Sequence, residues 1–403
     1  MSRLDNLIAQ HCPSGVFFRD LVEVAGYSTT RVDAADLDAT SFVGVDNLLP
    51  NKQGKNDATY LPNTERLTAY REGDVLLGNI RPYLKKVWLA TDGGGCSGDV
   101  LVLRIRDDTR AGLMPEYFFY VMSSDRFFDY SMQHAKGAKM PRGDKLAILR
   151  YRFPVPPLEV QREIVRILDT FTELEAELEA ELQARRRQYE RLRAALLAPR
   201  EGITWGTATV GGVCRKVSAG ATPLVTRDEF YSGGTIPWLR TQEVRYRDIF
   251  DTDVKITDSA LKESSIRLIP TNCVIVALSG AGVTRGRVAV NRIPVTTNQH
   301  CCSLEVDEQL AHHRYVYYWL IHHYEELRRR GQGNRSDLNL GIVKNFPIRL
   351  PPLAEQRRIA ALLDRIDTLV NDLSVGLPAE LAARRRQYEH YRDRLLTFGE
   401  AVS

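Results

Sequence analysis

The sequence predicts an α+β protein: two similar globular domains separated by two long antiparallel coiled-coil helices, with pseudo-twofold symmetry. Three observations lead there. The chain contains a long internal repeat, each copy ends in a helix with a narrow apolar seam, and the same order of strands and helices precedes both. The repeat is plainest in PPLEVQREIVRILDTFTEL (156–174) and PPLAEQRRIAALLDRIDTL (351–369), where Pro, Pro, Leu, Gln, Ile, Leu and Asp recur 195 positions apart, from Pro156 to Pro351. ARRRQYERLRAALL (184–197) then matches ARRRQYEHYRDRLL (383–396) at an offset of 199, so the second copy carries four extra residues around SVGLPAEL. A spacing this long is no solenoid period and marks two large halves.

In chain order, the expected parts are a first domain with a short N-terminal helix (1–152), a first long helix (153–198), a second domain (199–345), and a second long helix with the C-terminal tail (346–403). Within the domains, DVLLGNI and DVLVLRI, then NCVIVAL and GRVAV, read as strands, being short β-branched and leucine runs bounded by turn residues. EYFFYVMSSDRFFDY and RYVYYWLIHHYEELRRR read as aromatic helices. Each domain then closes with a Gly-bearing basic loop (KGAKMPRGDK, RRRGQGNRSD) and a short strand (YRFPVP, KNFPIRL).

Tandem proline suits a helix start and not its interior. In the second helix Ile359, Leu363, Ile366, Val370 and Leu373 step by 4, 3, 4 and 3, a coiled-coil seam. In the first, Leu174, Leu178 and Leu182 step by four, and Leu182, Tyr189, Leu192 and Leu196 return to heptad spacing. From Pro156 to Leu197 the first helix spans roughly 60 Å at 1.5 Å per residue. Gly376 and Pro378 predict a kink or short break in the second. A helix of this length cannot bury its stripe alone, so the two are expected to pair through Ile164, Leu168, Leu178, Leu182, Leu192, Ile359, Leu363, Ile366, Val370, Leu373 and Leu395.

Composition narrows the function. There are 403 residues, 43% of them hydrophobic and 26% charged, as in ordinary folded proteins, and no apolar run suits a membrane span. No secretion signal is read at the N-terminus. Six cysteines, Cys12, Cys96, Cys214, Cys273, Cys301 and Cys302, lack paired metal spacing and read as reduced cytoplasmic thiols. A net charge of +4 permits a nucleic-acid partner without requiring one.

Catalytic motifs are missing from the sequence. Both Pro-Pro pairs precede Leu, which rules out the Asn/Asp-Pro-Pro-aromatic tetrapeptide of an adenine methyltransferase. No GxxxxGK[ST] loop for a motor occurs. SGAGVTRG (279–286) has the wrong spacing for a dinucleotide loop and reads as a hairpin turn. Asp251, Asp253 and Lys255 form a weak D-x-D-x-K string that reads as a solvated loop. His300, Cys301, Cys302, His312, His313, His322 and His323 read as structural residues, so no metal is expected.

Two variable domains, each followed by a PPLxxQ-headed helix, resemble the specificity (S) subunit of Type I restriction-modification systems. FPVPPLEVQREIV and FPIRLPPLAEQRRIA are similar to that family's domain-to-helix junction, and LPAELAARRRQYEHYRDRLLTF to its C-terminal helix. SAGATPLVTRDEFYSGGTIPWLRTQEV (218–244) resembles the opening of a target-recognition domain, and ELEAELEAELQA (173–184) a spacer repeat. The first domain lacks the GxTP…IPW pattern. The resemblance implies a non-catalytic subunit of a restriction endonuclease and adenine-N6 DNA methyltransferase complex. Each target-recognition domain would read half of a split double-stranded DNA target. The helices would set the spacing and dock two methyltransferase (M) subunits, with motor-nuclease (R) subunits held through them. S-adenosylmethionine, ATP and Mg would sit on those partners and no cofactor on this chain. A specificity subunit of an orphan methylation or phage-defence system, or a coiled-coil protein-interaction scaffold, are the alternatives.

The basic loops are the candidate DNA contacts. In the first domain these are Arg81, Lys85, Lys86, Lys136, Lys139, Arg142 and Lys145; in the second, Arg240, Gln242, Arg245, Arg247, Arg328, Arg329, Arg330, Gln332, Asn334 and Arg335. Lys and Arg neutralise phosphates, while Arg, Asn and Gln can read base edges bidentately. One charge run alone is a wet surface, but these recur at equivalent places in both halves. The Arg185–Arg187 and Arg384–Arg386 triplets are expected to face partners or helix neighbours.

Overall fold

The protein is described by a computed structural model, which covers residues 3–280, 284–331, 337–371 and 376–401. It divides into two compact units: Met1–Glu179 with Glu380–Ser403, and Ala180–Ala379. The boundaries between them fall inside the long helices, so each unit owns a share of both helical segments.

The first unit opens with α1 (Arg3–His11), β1 (Phe17–Asp20), α2 (Leu21–Val24), β2 (Ala25–Tyr27), β3 (Arg31–Asp33), β4 (Phe42–Val43) and β5 (Arg66–Tyr70). It continues with β6 (Val75–Gly78), β7 (Val87–Leu89), β8 (Gly94–Cys96), β9 (Val100–Ile105), α3 (Pro115–Met122), α4 (Asp125–Gln133), α5 (Lys145–Leu149) and β10 (Arg152–Val155). The 40-residue α6 (Leu158–Leu197) follows and runs on into the second unit. The second unit holds β11 (Gly206–Thr209), β12 (Cys214–Ala219), β13 (Ile236–Leu239), β14 (Asp248–Ile249), β15 (Lys255–Ile256), α7 (Asp258–Glu263) and β16 (Val274–Ala277). After these come β17 (Val288–Asn291), β18 (Thr296–Thr297), β19 (Cys301–Val306), α8 (His313–His322), α9 (Tyr324–Arg329), α10 (Leu340–Lys344), β20 (Pro347–Leu350) and α11 (Leu353–Asn371). The last helix, α12 (Leu377–Leu395), spans the second boundary.

Both units are built to one plan. Their main sheets have the orders β2-β9-β6-β7 and β12-β19-β16-β17-β14. A smaller sheet in each contains a short parallel pair, β4 with β8 and β13 with β18. A two-stranded antiparallel ribbon, β1 with β10 and β11 with β20, precedes each long helix. The central strands read as unbroken apolar runs because both faces are covered. In β6, Val75 and Leu77 pack under α3, while Leu76 joins the core beneath the second sheet. In β16, Val274 and Val276 face α8, while Ile275 and Ala277 face the other way.

The repeated Pro-Pro-Leu-x-x-Gln has a physical purpose. Gln161 is fully buried; Met114 N–H donates to its Oε1 at 3.0 Å, and its amide donates to the carbonyls of Gly112 (2.9 Å) and Pro156 (2.7 Å). Gln356 repeats this with His312 N–H at 2.9 Å and the Pro351 carbonyl at 2.8 Å. Two aromatic contacts recur as well. Tyr117 and Tyr315 donate to Pro154 and Arg349 carbonyls, and Tyr120 and Tyr318 donate to Asp169 and Asp364, both at 2.6 Å.

Helix pairing is seen inside each unit. In the first, Phe171 stacks on Tyr391 and lies against Tyr388, and farther along α6 Glu175 (2.5 Å) and Glu179 pair with Arg385. Numbers rise on one helix as they fall on the other, so α6 and α12 run antiparallel. In the second, Tyr189, Leu192 and Leu196 share one cluster with Ile359, Leu363, Ile366 and Val370. Ile164 and Leu168 enter the core under α3 and α4, with Leu395 packed at its margin, so they bind helix to domain as well as helix to helix. Leu182 is buried and Leu178 half-buried. Leu373 lies outside the described residues. The expected break falls between α11 and α12, where a Cβ on Gly376 would meet the Leu369 carbonyl oxygen at 2.5 Å. Among the described residues no helix is long and apolar enough to cross a membrane.

Replacing Gln161 or Gln356 with Ala strands several buried backbone groups, and each change should destabilise its own unit by about 2–4 kcal/mol. Urea unfolding followed by circular dichroism measures this; a loss below about 0.5 kcal/mol would contradict the clamp.

Candidate nucleic-acid interface

In the first unit two basic loops come together. Arg81 N–H donates to the Pro141 carbonyl (2.7 Å), Gly143 N–H donates to the Asn79 carbonyl (3.1 Å), and Lys136 and Arg142 exchange backbone bonds at 2.9 Å. A Cβ on Gly143 would sit 2.8 Å from Asn79 Oδ1, so glycine permits this approach. Arg81, Lys136, Lys139, Arg142 and Lys145 are exposed. Lys136 pairs with Asp144 at 2.5 Å and Arg142 with Asp99 at 3.3 Å. Such exposed pairs are weak and can be exchanged for phosphates. Tyr83, Met140 and Leu146 stand exposed between these cations, as a surface needs to touch sugars and bases. Lys85 and Lys86 turn inward: Lys85 Nζ lies 2.5 Å from Asp125, and Lys86 Nζ donates to the Val45 carbonyl at 2.6 Å.

In the second unit Arg240 supports its loop from within, between Glu243 and Asp253 at 3.6 Å each. The buried Glu243 also accepts the N–H groups of Arg240 and Asp253. Gln242, Arg245 and Arg247 are exposed, and Arg245 Nε donates to the Gln242 carbonyl. Arg245 and Arg247 line an open cleft of about 1370 Å³ with Arg186, Arg193, Asp251 and Asp367. Tyr246 packs edge-on against Tyr324 at 6.0 Å, which brings this loop beside α9 and its Arg328 and Arg329. Arg329 is exposed, Arg328 half-buried, and Arg330 lies over Phe346 at 4.8 Å while pairing with Glu326 at 2.6 Å. Gln332, Asn334 and Arg335 lie outside the described residues. On the helices, Arg385 pairs with α6, and Arg185 (to Glu181) and Arg384 (to Glu380) make only local ion pairs one turn away.

The cysteines are explained by packing. Cys301 and Cys302 alternate along β19 into two different cores and cannot share a ligand. Burial pushes Cys96, Cys214, Cys273 and Cys302 up to about 12, which keeps them protonated and unreactive. Glu308, His312 and His313 bring ligand atoms within 4.8 Å of one another, a donor set of the kind zinc takes. The Glu308 carboxylate bonds the His313 ring at 2.6 Å and its backbone N–H at 3.1 Å, fastening the start of α8.

Sequence reasoning missed Arg314, whose one signal is a cation inside an aromatic helix. Its guanidinium reaches Asp364 and Asp248 at 2.8 Å and the Tyr318 hydroxyl at 3.1 Å, so it joins α8, α11 and β14 beneath the cleft. Burial lowers its proton affinity, but the bond to Asp364 and the neighbouring negative charge outweigh that and raise it. Arg314→Leu leaves Asp364 without its cation, while Asp248 keeps Arg292 at 2.7 Å, and should cost about 3 kcal/mol. Arg385→Ala, at a half-exposed site, should cost under about 1 kcal/mol. Denaturant titration of both variants checks the contrast, and equal losses would refute it.

The geometry is thus one scaffold carrying two different sets of basic, exposed loops. Comparison with known proteins agrees. The family profile described as Type I restriction modification DNA specificity domain matches residues 84–185 and 202–383, more than half of the chain. The chain is 34% identical over 250 residues to the Type I restriction enzyme EcoR124I/EcoR124II specificity subunit of Escherichia coli, covering 61% of each. It is 30% identical over 194 residues to the EcoprrI specificity subunit of Escherichia coli, covering 45% of this chain and 47% of that one. These matches span less than two thirds of either relative. Its fold is similar to a chain from work on complex assembly and conformational transition of the type I R-M system (TM-score 0.67, 23% identity, covering 95% of this chain and 98% of that chain). It is also similar to the Type-I restriction-modification system S subunit from M. genitalium (TM-score 0.53, 12% identity, 94% and 96% covered). The chain belongs to the family of Type I restriction-modification DNA specificity subunits.

Proposed function

We propose that this chain reads a two-part DNA target, one half-site per globular unit, and performs no chemistry itself. One observation carries the reading: two units of the same plan present different basic, exposed surfaces, Arg81 with the 136–145 loop after α4 in one, and the 242–247 loop with Arg328 and Arg329 at the end of α9 in the other. A shared scaffold with divergent loops suits two readers of different sequences. On this reading the helices dock two methyltransferase subunits, which hold S-adenosylmethionine and flip the target adenine. Motor-nuclease subunits with ATP and Mg attach through them. The complex works in the cytoplasm, where its DNA is.

Methylome sequencing of a host with and without the gene tests this. A split N6-methyladenine motif should be present only with the gene; identical methylomes would contradict it. Joint alanine replacement of Lys136, Lys139 and Arg142 should weaken DNA binding on all sequences and flatten the slope of log K against log salt by about one for each phosphate no longer neutralised. An unchanged slope would remove these residues from the interface.

A further inference from the structure

The loop at residues 50–55, PNKQGK, is built against Arg81–Lys85. Asn51 N–H donates to the Leu84 carbonyl at 2.8 Å and Lys52 N–H to the Lys85 carbonyl at 2.9 Å. Asn51 (φ 55°), Lys52 (64°), Arg81 (52°) and Lys85 (51°) are all left-handed, a region that side chains other than glycine enter rarely. The other two such residues among those described, Tyr246 and Asn272, are in the second unit. Strained backbone gathers in this way where the surroundings hold it for a purpose.

What holds it is one carboxylate. Asp125, at the start of α4, receives Lys52 Nζ at 2.7 Å, Lys85 Nζ at 2.5 Å and the Arg392 guanidinium at 2.8 Å. Arg392 lies on α12 and its side chain is 2% exposed. Burial pushes the Asp125 carboxyl up, but the hydrogen bonds from Lys52 and Lys85, with the charges of Lys52 and Arg392, hold it well below the usual carboxylate range. With both lysines drawn inward, Asn51, Arg81 and Tyr83 are left exposed on the outer side of the paired loops.

We infer that Asn51 and Arg81 are specificity-determining residues that read base edges of the first half-site, and that Asp125 and Arg392 are the positioning residues that hold their loops in reading geometry. The inference rests on the DNA-reading function proposed above. The residue chemistry fits: an asparagine amide pairs bidentately with adenine N6 and N7, and an arginine with guanine O6 and N7. It also gives α12 a second task, since the helix that pairs with α6 supplies the cation that completes the pin.

The test uses the full chain in a host with its methylating partners, read by methylome sequencing. Asn51→Ala and Arg81→Ala should each relax base preference in one half of the split motif, roughly ten- to hundred-fold at a position, and leave the other half and the spacer unchanged. Arg392→Met should relax that same half although it touches no base, and Arg392→Lys, which keeps the cation, should restore most of the preference. If Arg392→Met lowers methylation evenly with the motif intact, the pin is structural only and the positioning role fails. If Asn51→Ala and Arg81→Ala leave the motif unaltered, the loops do not read. A wild-type chain that supports no split motif would overturn this inference together with the function beneath it.

Discussion

A buried glutamine amide, satisfied by backbone groups at the same place in both halves, fastens each long helix to its globular unit. Gln161 and Gln356 stand one turn after tandem prolines, where the first helical N–H groups are not yet paired and the chain before them would otherwise end in stranded carbonyls. The amide bonds these carbonyls and also grips the backbone N–H before the aromatic helix, at Met114 and at His312. Without that clamp, α6 and α11 have no fixed direction of departure and their seams have no fixed partner. The tyrosine–aspartate bonds about two turns on, Tyr120 to Asp169 and Tyr318 to Asp364, continue the same attachment.

From that attachment a division of labour follows. Residues that hold the units together are alike in both: the clamp, the two-stranded ribbon, the central strands packed on both faces, and the cap that starts the short helix before the ribbon, Asp144 in one unit and Asn339 in the other. Residues that reach outward differ. The first unit offers paired loops pinned by Asp125; the second offers a cleft floored by Arg314 and its carboxylates. The scaffold carries stability and the loops carry difference, as expected where function is grafted on a fold.

Much of the scaffold was legible because it is written locally. The Pro-Pro-Leu starts, the heptad steps and the unbroken apolar strands each have a short-range pattern with a physical cause, and the repeat doubled every signal. The site was legible in part. Arg81, Lys136, Lys139 and Arg142 were found by charge and do come together. Lys85 and Lys86 were found by the same charge yet face inward, because Asp125 and the Val45 carbonyl meet them from 40 and 41 residues away. Asn51 and Lys52 left only the faint turn signal of Pro50 and Gly54. Ile164 and Leu168 fit a helix seam by spacing, but spacing cannot say that a domain core also claims them.

If each unit reads its own half of the DNA target on a shared scaffold, the two halves must be separable by exchange. Residues 14–152 can be replaced with the corresponding segment of another family member and the host methylome sequenced. One half of the split motif should then change while the other half stays as it was. A change in both halves, or in neither, would contradict the assignment of one half-site to each unit.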